Sequence, residues 1–267
     1  FHLDNAYHIP TMRFEGRVCK THLPSNTAFR GFGGPQGIIV IEEVMNQAAT
    51  HLGLDPALIR YRNFYGPKTG VQTPYGQILK DLRLERIWTE LMESSNYVQR
   101  RKEIDTFNQS SPYVKRGIGF QPVKFGISFT NSLLNQAGAL LLIYADGSVQ
   151  LNHGGTEMGQ GLHTKMRSVC SSTLGIAADQ IRVMRTSTEK VPNTSPTAAS
   201  SGSDLNGQAV RIACETLKTR MGPIAAGMLN VPEDTDWIFK NGQLIMQTDP
   251  TQKVAFVSIL ENIEVER

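Results

Sequence analysis

The sequence predicts a mixed α+β protein. Three observations carry this. The first half holds a sustained apolar run of 3.6-residue period, and the second half alternates apolar and polar residues around hairpin turns. Neither half shows the regular strand–helix alternation of a doubly wound parallel sheet. The 267 residues include 27 Lys+Arg and 24 Asp+Glu, a formal net charge of +3, with 40% hydrophobic and 19% charged residues. Such a composition is globular rather than disordered, and it suffices for one large domain or two small ones. So small a charge excess argues against a nucleic-acid-binding surface.

The first forty residues read as irregular, broken by Pro10, Pro24 and Pro35 and by glycines from Gly31 to Gly37. Ile38, Ile39, Ile41, Val44, Met45, Ala48 and Leu52 then mark a helix with Pro35 in its first turn and Gly53 as its stop. Asp55-Pro56 reads as the cap and first position of another short helix. Residues 66–80, rich in Gly, Pro, Thr and Gln, read as an exposed loop. Two charged amphipathic helices follow over 81–93 and 95–108, the second with Ser95 as its cap. Asn108 to Pro112 reads as a linker, which sets the domains at 1–110 and 111–267.

Residues 117–130 and 137–145 favour strands, and Asp146-Gly147 turns a hairpin into 148–152. A helix is expected over 157–174, ended by Gly175, then a strand over 180–186 and a polar loop through Pro196. Another helix is expected over 201–221, a hairpin at Asn241-Gly242, and a helical tail over 254–265. The longest apolar run, Ala139-Leu140-Leu141-Leu142-Ile143, is too short to cross a bilayer, so no membrane partner is expected. No charged-then-apolar signal segment opens the chain, and a start at Phe1 reads as a processed chain or a piece of a longer one. The cysteines Cys19, Cys170 and Cys214 are odd in number and far apart in sequence, which excludes a disulfide scaffold and suits a reducing cytoplasm.

Three small, polar segments fall at the starts of expected helices: 25–37, containing Arg30-Gly31-Phe32-Gly33; 153–161, containing Glu157-Met158-Gly159-Gln160; and 195–204, containing Ala199-Ser200-Ser201. Helix starts present unpaired amides and a positive dipole end, and glycine lets a ligand approach them. Such clusters mark tight turns at least as often, and Ser200 or Ser201 is an equally good helix cap. Gly31-Phe32-Gly33 lacks the third glycine of a dinucleotide fingerprint, no HExxH exists, and no serine or cysteine has the setting of a nucleophile. Phe32, bracketed by glycines, projects from its loop. Alternation places Phe125, Ile127 and Phe129 on one face, where Phe129 is either a core residue or one of two aromatics gripping a flat heterocycle.

The segments 25–36, Lys124-Phe125-Gly126-Ile127-Ser128-Phe129-Thr130, Asn135-Gln136-Ala137-Gly138-Ala139, 154–165 and Pro192-Asn193-Thr194-Ser195-Pro196-Thr197-Ala198-Ala199-Ser200 together resemble the molybdenum-binding region of the xanthine oxidase family of molybdenum hydroxylases. They lie in family order and at family spacing. The resemblance implies a central piece of an enzyme of the xanthine dehydrogenase type, which oxidatively hydroxylates hypoxanthine and xanthine to urate with water-derived oxygen. It implies a molybdenum–molybdopterin cofactor with no side chain on the metal. Arg30, Gly31, Met158, Gln160, Ala199 and Ser200 correspond to cofactor-binding positions, and Phe32, Phe129 and Thr130 to substrate contacts. The family's catalytic glutamate lies in a Val-Gly-Glu-Pro-type motif that this sequence does not contain, so no catalytic residue is assigned and the stretch alone is expected to be inactive. Glu157 belongs to a different motif.

Domains 1–110 and 111–267 would be incomplete parts of two cofactor-binding subdomains. FAD and 2Fe-2S clusters would sit on partner subunits or missing segments, in a higher-order homo-oligomer. Alternatives are an aldehyde oxidase, another aromatic-heterocycle hydroxylase, or a non-catalytic truncated relative.

Overall fold

The computed structural model describes residues 2–189 and 194–263. Pro192 and Asn193 of the last motif, and the end of the expected helical tail at 264–265, lie outside the described residues. Helices and small sheets form two compact units, Phe1–Gly126 and Ile127–Arg267, confirming the α+β class.

In the first unit, α1 (Gly34–Leu52) carries Pro35 in its first turn and ends at Gly53, whose φ of 65° suits a residue without Cβ. Asp55 caps α2 (Pro56–Arg62), its carboxylate accepting from the Ala57 amide at 2.7 Å. Helices α3 (Leu84–Ser94) and α4 (Tyr97–Ser110) follow. Ser95 closes α3 and does not cap α4. The cap position of α4 is Asn96, a left-handed residue that reverses the chain between the two helices.

Tyr7, Ile41, Met45, Ala49, Ile59, Phe64, Trp88 and Tyr97 form the core. Trp88 meets Phe64 edge-on at 4.9 Å and Phe120 at 4.1 Å between ring centroids. Residues 111–126 pack with this unit, because Ile118 and Phe120 lie on its core and Asn5 Nδ2 donates to Pro122 O at 2.9 Å. The strand expected over 117–130 does not form. Among the described residues the segment pairs with no strand, Ser128 turns out of the alternation at φ +71°, and side-chain hydrogen bonds satisfy parts of its backbone instead.

In the second unit, β1 (Ala139–Ile143) pairs antiparallel with β2 (Val149–His153) across the Asp146-Gly147 turn, and β2 pairs parallel with β3 (Ile181–Val183). The connection from β2 to β3 carries α5 (Leu162–Leu174), ended by Gly175 at φ 67°. This helix starts later than the expected Glu157, because Gly159 and Gly161 both take positive φ and hold the preceding turn non-helical. Helix α6 (Gly202–Leu229) runs past the expected end at Met221 and through Pro223, with Met221, Gly222, Ala225 and Ala226 buried on either side of the proline.

A second sheet, β4 (Trp237–Lys240), β5 (Gln243–Met246) and β6 (Lys253–Ala255), is antiparallel throughout. The expected helical tail is β6 followed by the short α7 (Phe256–Glu261). Leu141, Val149, Leu151, Leu162, Met166, Leu174, Val210 and Leu244 fill the core. Cys170 and Cys214 are buried free thiols with sulfurs 3.8 Å apart. Among the described residues, no helix is long and apolar enough to cross a membrane.

Candidate functional site

In the first unit, the turn before α1 is built by its glycines. Phe32 N donates to Phe29 O at 2.7 Å and Gly34 N to Gly31 O at 3.0 Å. A Cβ on Gly31 would lie 2.7 Å from Pro35 Cδ, and φ there is +95°, so that position accepts no side chain. The turn leaves Arg30 exposed and Phe32 79% exposed, with Phe32 itself at φ +45°. No side chain caps α1.

In the second unit, three of the segments singled out from sequence meet. Ser128 N donates to Ala199 O at 2.8 Å, joining the Phe129 segment to the loop before α6. Thr156 N donates to Thr197 Oγ1 at 2.8 Å, joining that loop to the one before α5. Lys165 Nζ, one turn into α5, donates to Ser203 Oγ at 3.1 Å in the first turn of α6. Phe129 is half-buried and Thr130 exposed; Met158 is exposed and Gln160 half-buried. Ser201 does not cap α6: its hydroxyl donates back to Ala198 O at 3.0 Å, and no side chain takes the capping role.

The loop before α5 organises itself. Gln160 Oε1 accepts from Met158 N at 2.5 Å while its Nε2 donates to Thr156 O at 2.8 Å. The Glu157 carboxylate accepts from the amides of Gly159 at 2.9 Å, Gly161 at 3.0 Å and His163 at 2.9 Å. Those amides, which sequence reasoning offers to a ligand, therefore serve an internal carboxylate. They hold Glu157 below its ordinary value of 4.5, the His163 amide contributing most. Glu157 is thus the cap of α5. Its distance from the helix start conceals that role in the sequence.

Beneath this loop lies a buried polar layer. His153 Nδ1 accepts from the Gly155 amide at 3.1 Å, and its ring meets that of His163 edge-on at 5.0 Å. Among the described residues, His153 Nε2, His163 Nε2 and Asn206 Oδ1 are buried without a hydrogen-bond partner. Burial first, and His163 second, hold the His153 imidazole down to about 4 from 6.5. The unfolded chain binds that proton below about 6.5 and the folded one only below about 4. His153 therefore contributes stability that is complete above 6.5 and lost as pH falls through this window. Thermal melts from pH 7 to 4 are expected to show a falling midpoint for the wild type and a shallower fall for His153→Asn; equal slopes would refute the assignment.

Outside glycine and asparagine, the described residues in left-handed backbone conformations are Phe32, Ser128, Ala199 and Ser200, at φ of +45°, +71°, +53° and +55°. Each such conformation costs about 1–3 kcal/mol and persists only where the surroundings impose it. All four lie in the segments picked out from sequence. Two cavities elsewhere, a cleft of about 560 Å³ beside Tyr61, Trp88 and Tyr97 and one of about 620 Å³ beside Gly175 and Phe239, contain none of the predicted site residues.

Residues 1–64 and 90–266 each match a family model described as a molybdopterin cofactor-binding domain. The chain is 54% identical over 223 residues to the xanthine dehydrogenase/oxidase of Felis catus, covering 84% of this chain and 17% of that protein. It is 53% identical over 240 residues to the xanthine dehydrogenase of Calliphora vicina, covering 90% and 18% respectively. Quinoline 2-oxidoreductase from Pseudomonas putida 86 shares the fold, with a TM-score of 0.76 at 21% identity over 87% of this chain and 30% of that one. The chain spans under a fifth of the length of the curated relatives it matches. With every predicted site residue inside the matched ranges, the chain belongs to the molybdopterin cofactor-binding domain family.

Proposed function

We propose that this chain is the molybdopterin-binding region of an enzyme that hydroxylates hypoxanthine and xanthine to urate with water-derived oxygen. The convergence of the Phe129, Gln160 and Ala199 segments in the second unit, two of them held in strained backbone, is the observation that supports this most. Their chemistry fits the cofactor: a start of α6 without a side-chain cap, and buried polar atoms lacking partners, suit a polar, phosphorylated pterin. When bound, molybdopterin supplies the two-electron redox chemistry that none of these side chains can perform.

The chain's own residues bind and orient. Gln160 shapes the loop whose Met158 and Gln160 line the pterin. Ala199 and Ser200, both in left-handed backbone, would lie at the cofactor, and Arg30 and Gly31 would contribute through the turn before α1. Phe129 and Thr130 contact the substrate, as does the projecting ring of Phe32. The parent enzyme would pass electrons to an iron–sulfur and FAD domain or subunit, as a cytoplasmic homo-oligomer. The two cofactor-binding subdomains would be 1–110 and 111–267.

Metal and pterin analysis of the holoenzyme, with turnover assays on hypoxanthine, xanthine and aromatic aldehydes, tests this. Bound molybdenum with preferential purine turnover is expected; turnover of aldehydes alone would assign the chain to another substrate class. Phe32→Ala in the same enzyme is expected to weaken purine turnover about tenfold or more, the scale of one lost aromatic contact, with molybdenum content near that of the wild type. Parallel loss of metal and fold would make Phe32 a purely structural loop residue.

A further inference from the structure

We infer that Asn135 is a positioning residue that fixes Phe129 for substrate contact. The inference rests on the substrate role proposed above for Phe129. Asn135 Oδ1 accepts from Phe129 N at 2.9 Å and its Nδ2 donates to Phe129 O at 2.9 Å. A single carboxamide thereby does for Phe129 what a neighbouring strand would do, in a segment that has none. A carboxamide offers an acceptor and a donor in one plane at any pH, and the short stem of asparagine suits contact across a tight turn.

Asn135 is itself anchored. The turn Ser132–Leu134 precedes it, started by Asn131 Oδ1 accepting from Leu133 N at 3.2 Å. Gln136 O, just after it, accepts from Ser195 N at 3.1 Å and Thr194 Oγ1 at 3.2 Å, while Leu134 O accepts from the Ser195 hydroxyl. Ser128 N closes the circuit on Ala199 O at 2.8 Å. The result is a closed ring of hydrogen bonds: from Phe129 through Asn135 to the 194–195 segment, along the chain to Ala199, and back to Ser128. Asn135 is the one link in it made by a side chain on both of its bonds to Phe129. It sits in a motif quoted from the sequence without a role, the Asn135-Gln136 pair after Leu133-Leu134.

The test is steady-state kinetics of the holoenzyme with Asn135→Ala and Asn135→Asp, on hypoxanthine and on a small aliphatic aldehyde, with molybdenum content measured alongside. Asn135→Ala is expected to raise KM for the purine about tenfold, with kcat, metal content and the aliphatic KM within about twofold of the wild type. Asn135→Asp keeps the acceptor but loses the donor while its carboxyl is ionised. A protonated carboxyl can donate again, so the purine KM of this variant should recover towards the wild-type value as pH falls, a dependence the wild type lacks.

Unchanged purine KM in both variants overturns the inference. So does a parallel loss of fold and metal in both variants at every pH, which would make Asn135 a structural residue only. Wild-type turnover and metal content test the parent function independently, since the effect of Asn135 is read as a ratio to that wild type.

Discussion

Glu42→Ala is expected to lower the unfolding free energy by about 3–5 kcal/mol, the range for removing one partner of a buried ion pair. Glu42 and Arg60 are 7% and 6% exposed, with Arg60 Nε 2.7 Å from Glu42 Oε2. Glu42 Oε1 also accepts from Tyr7 OH at 2.6 Å and Asn5 Nδ2 at 2.7 Å, and Arg60 Nη2 donates to Asn46 Oδ1 at 2.8 Å. Truncation leaves a buried guanidinium without its counter-charge and two further donors without an acceptor. A double substitution of Glu42 and Arg60 by Met should be much milder, because it removes both charges. Urea unfolding of the single and double variants separates the cases. Equal destabilisation in both would show that the uncompensated charge is not what matters, since the double variant leaves none.

Gly175→Ala is expected to cost about 2–5 kcal/mol, the sum of forcing an L residue into the left-handed region and overpacking a filled contact. A Cβ there would lie 2.3 Å from both the carbonyl carbon and oxygen of Phe239 and 2.5 Å from Lys240 N, all main-chain atoms that cannot rotate away. Gly242 N also donates to Gly175 O at 2.7 Å, so a shift would disturb the turn of the second sheet. Gly53 supplies the control. It has nearly the same φ, +65° against +67°, but a Cβ on it would have nothing within 4 Å. Gly53→Ala should therefore cost only the conformational part, about 1 kcal/mol. Matching midpoint shifts for the two variants in denaturant would show that the contact with Phe239 contributes nothing.

What the sequence reveals best is local punctuation. Pro35 with Gly53, Asp55 with Pro56, Asp146 with Gly147, and Gly175 each act through their own backbone preferences, and the corresponding helix ends and hairpin stand where expected. Elements decided by distant partners are read less well. Residues 117–130 alternate like a strand, yet no strand comes alongside. Their fixed points are Asn5 and, further along, Asn135, residues that alternation does not reveal. The helix expected to end at Met221 instead continues through Pro223, with Ala225 and Ala226 fully buried beyond it.

The candidate site divides in the same way. Its segments were legible as motifs, and the family match includes all of them. The bonds that join them, Ser128 to Ala199 and Thr156 to Thr197, run between residues with no local reason to meet. The internal use of the α5 amides by Glu157 was likewise invisible, because it depends on a turn whose shape only the folded chain defines.

The left-handed conformations of Phe32, Ser128, Ala199 and Ser200 bear on how this protein responds to selection. Glycine at any of these positions removes a steric penalty, so a library screened only for heat tolerance would drift towards glycine there and raise its melting temperature. Each gain would also slacken a bend that the proposed cofactor and substrate require. Thermal hardening at these positions is a route to an inert protein.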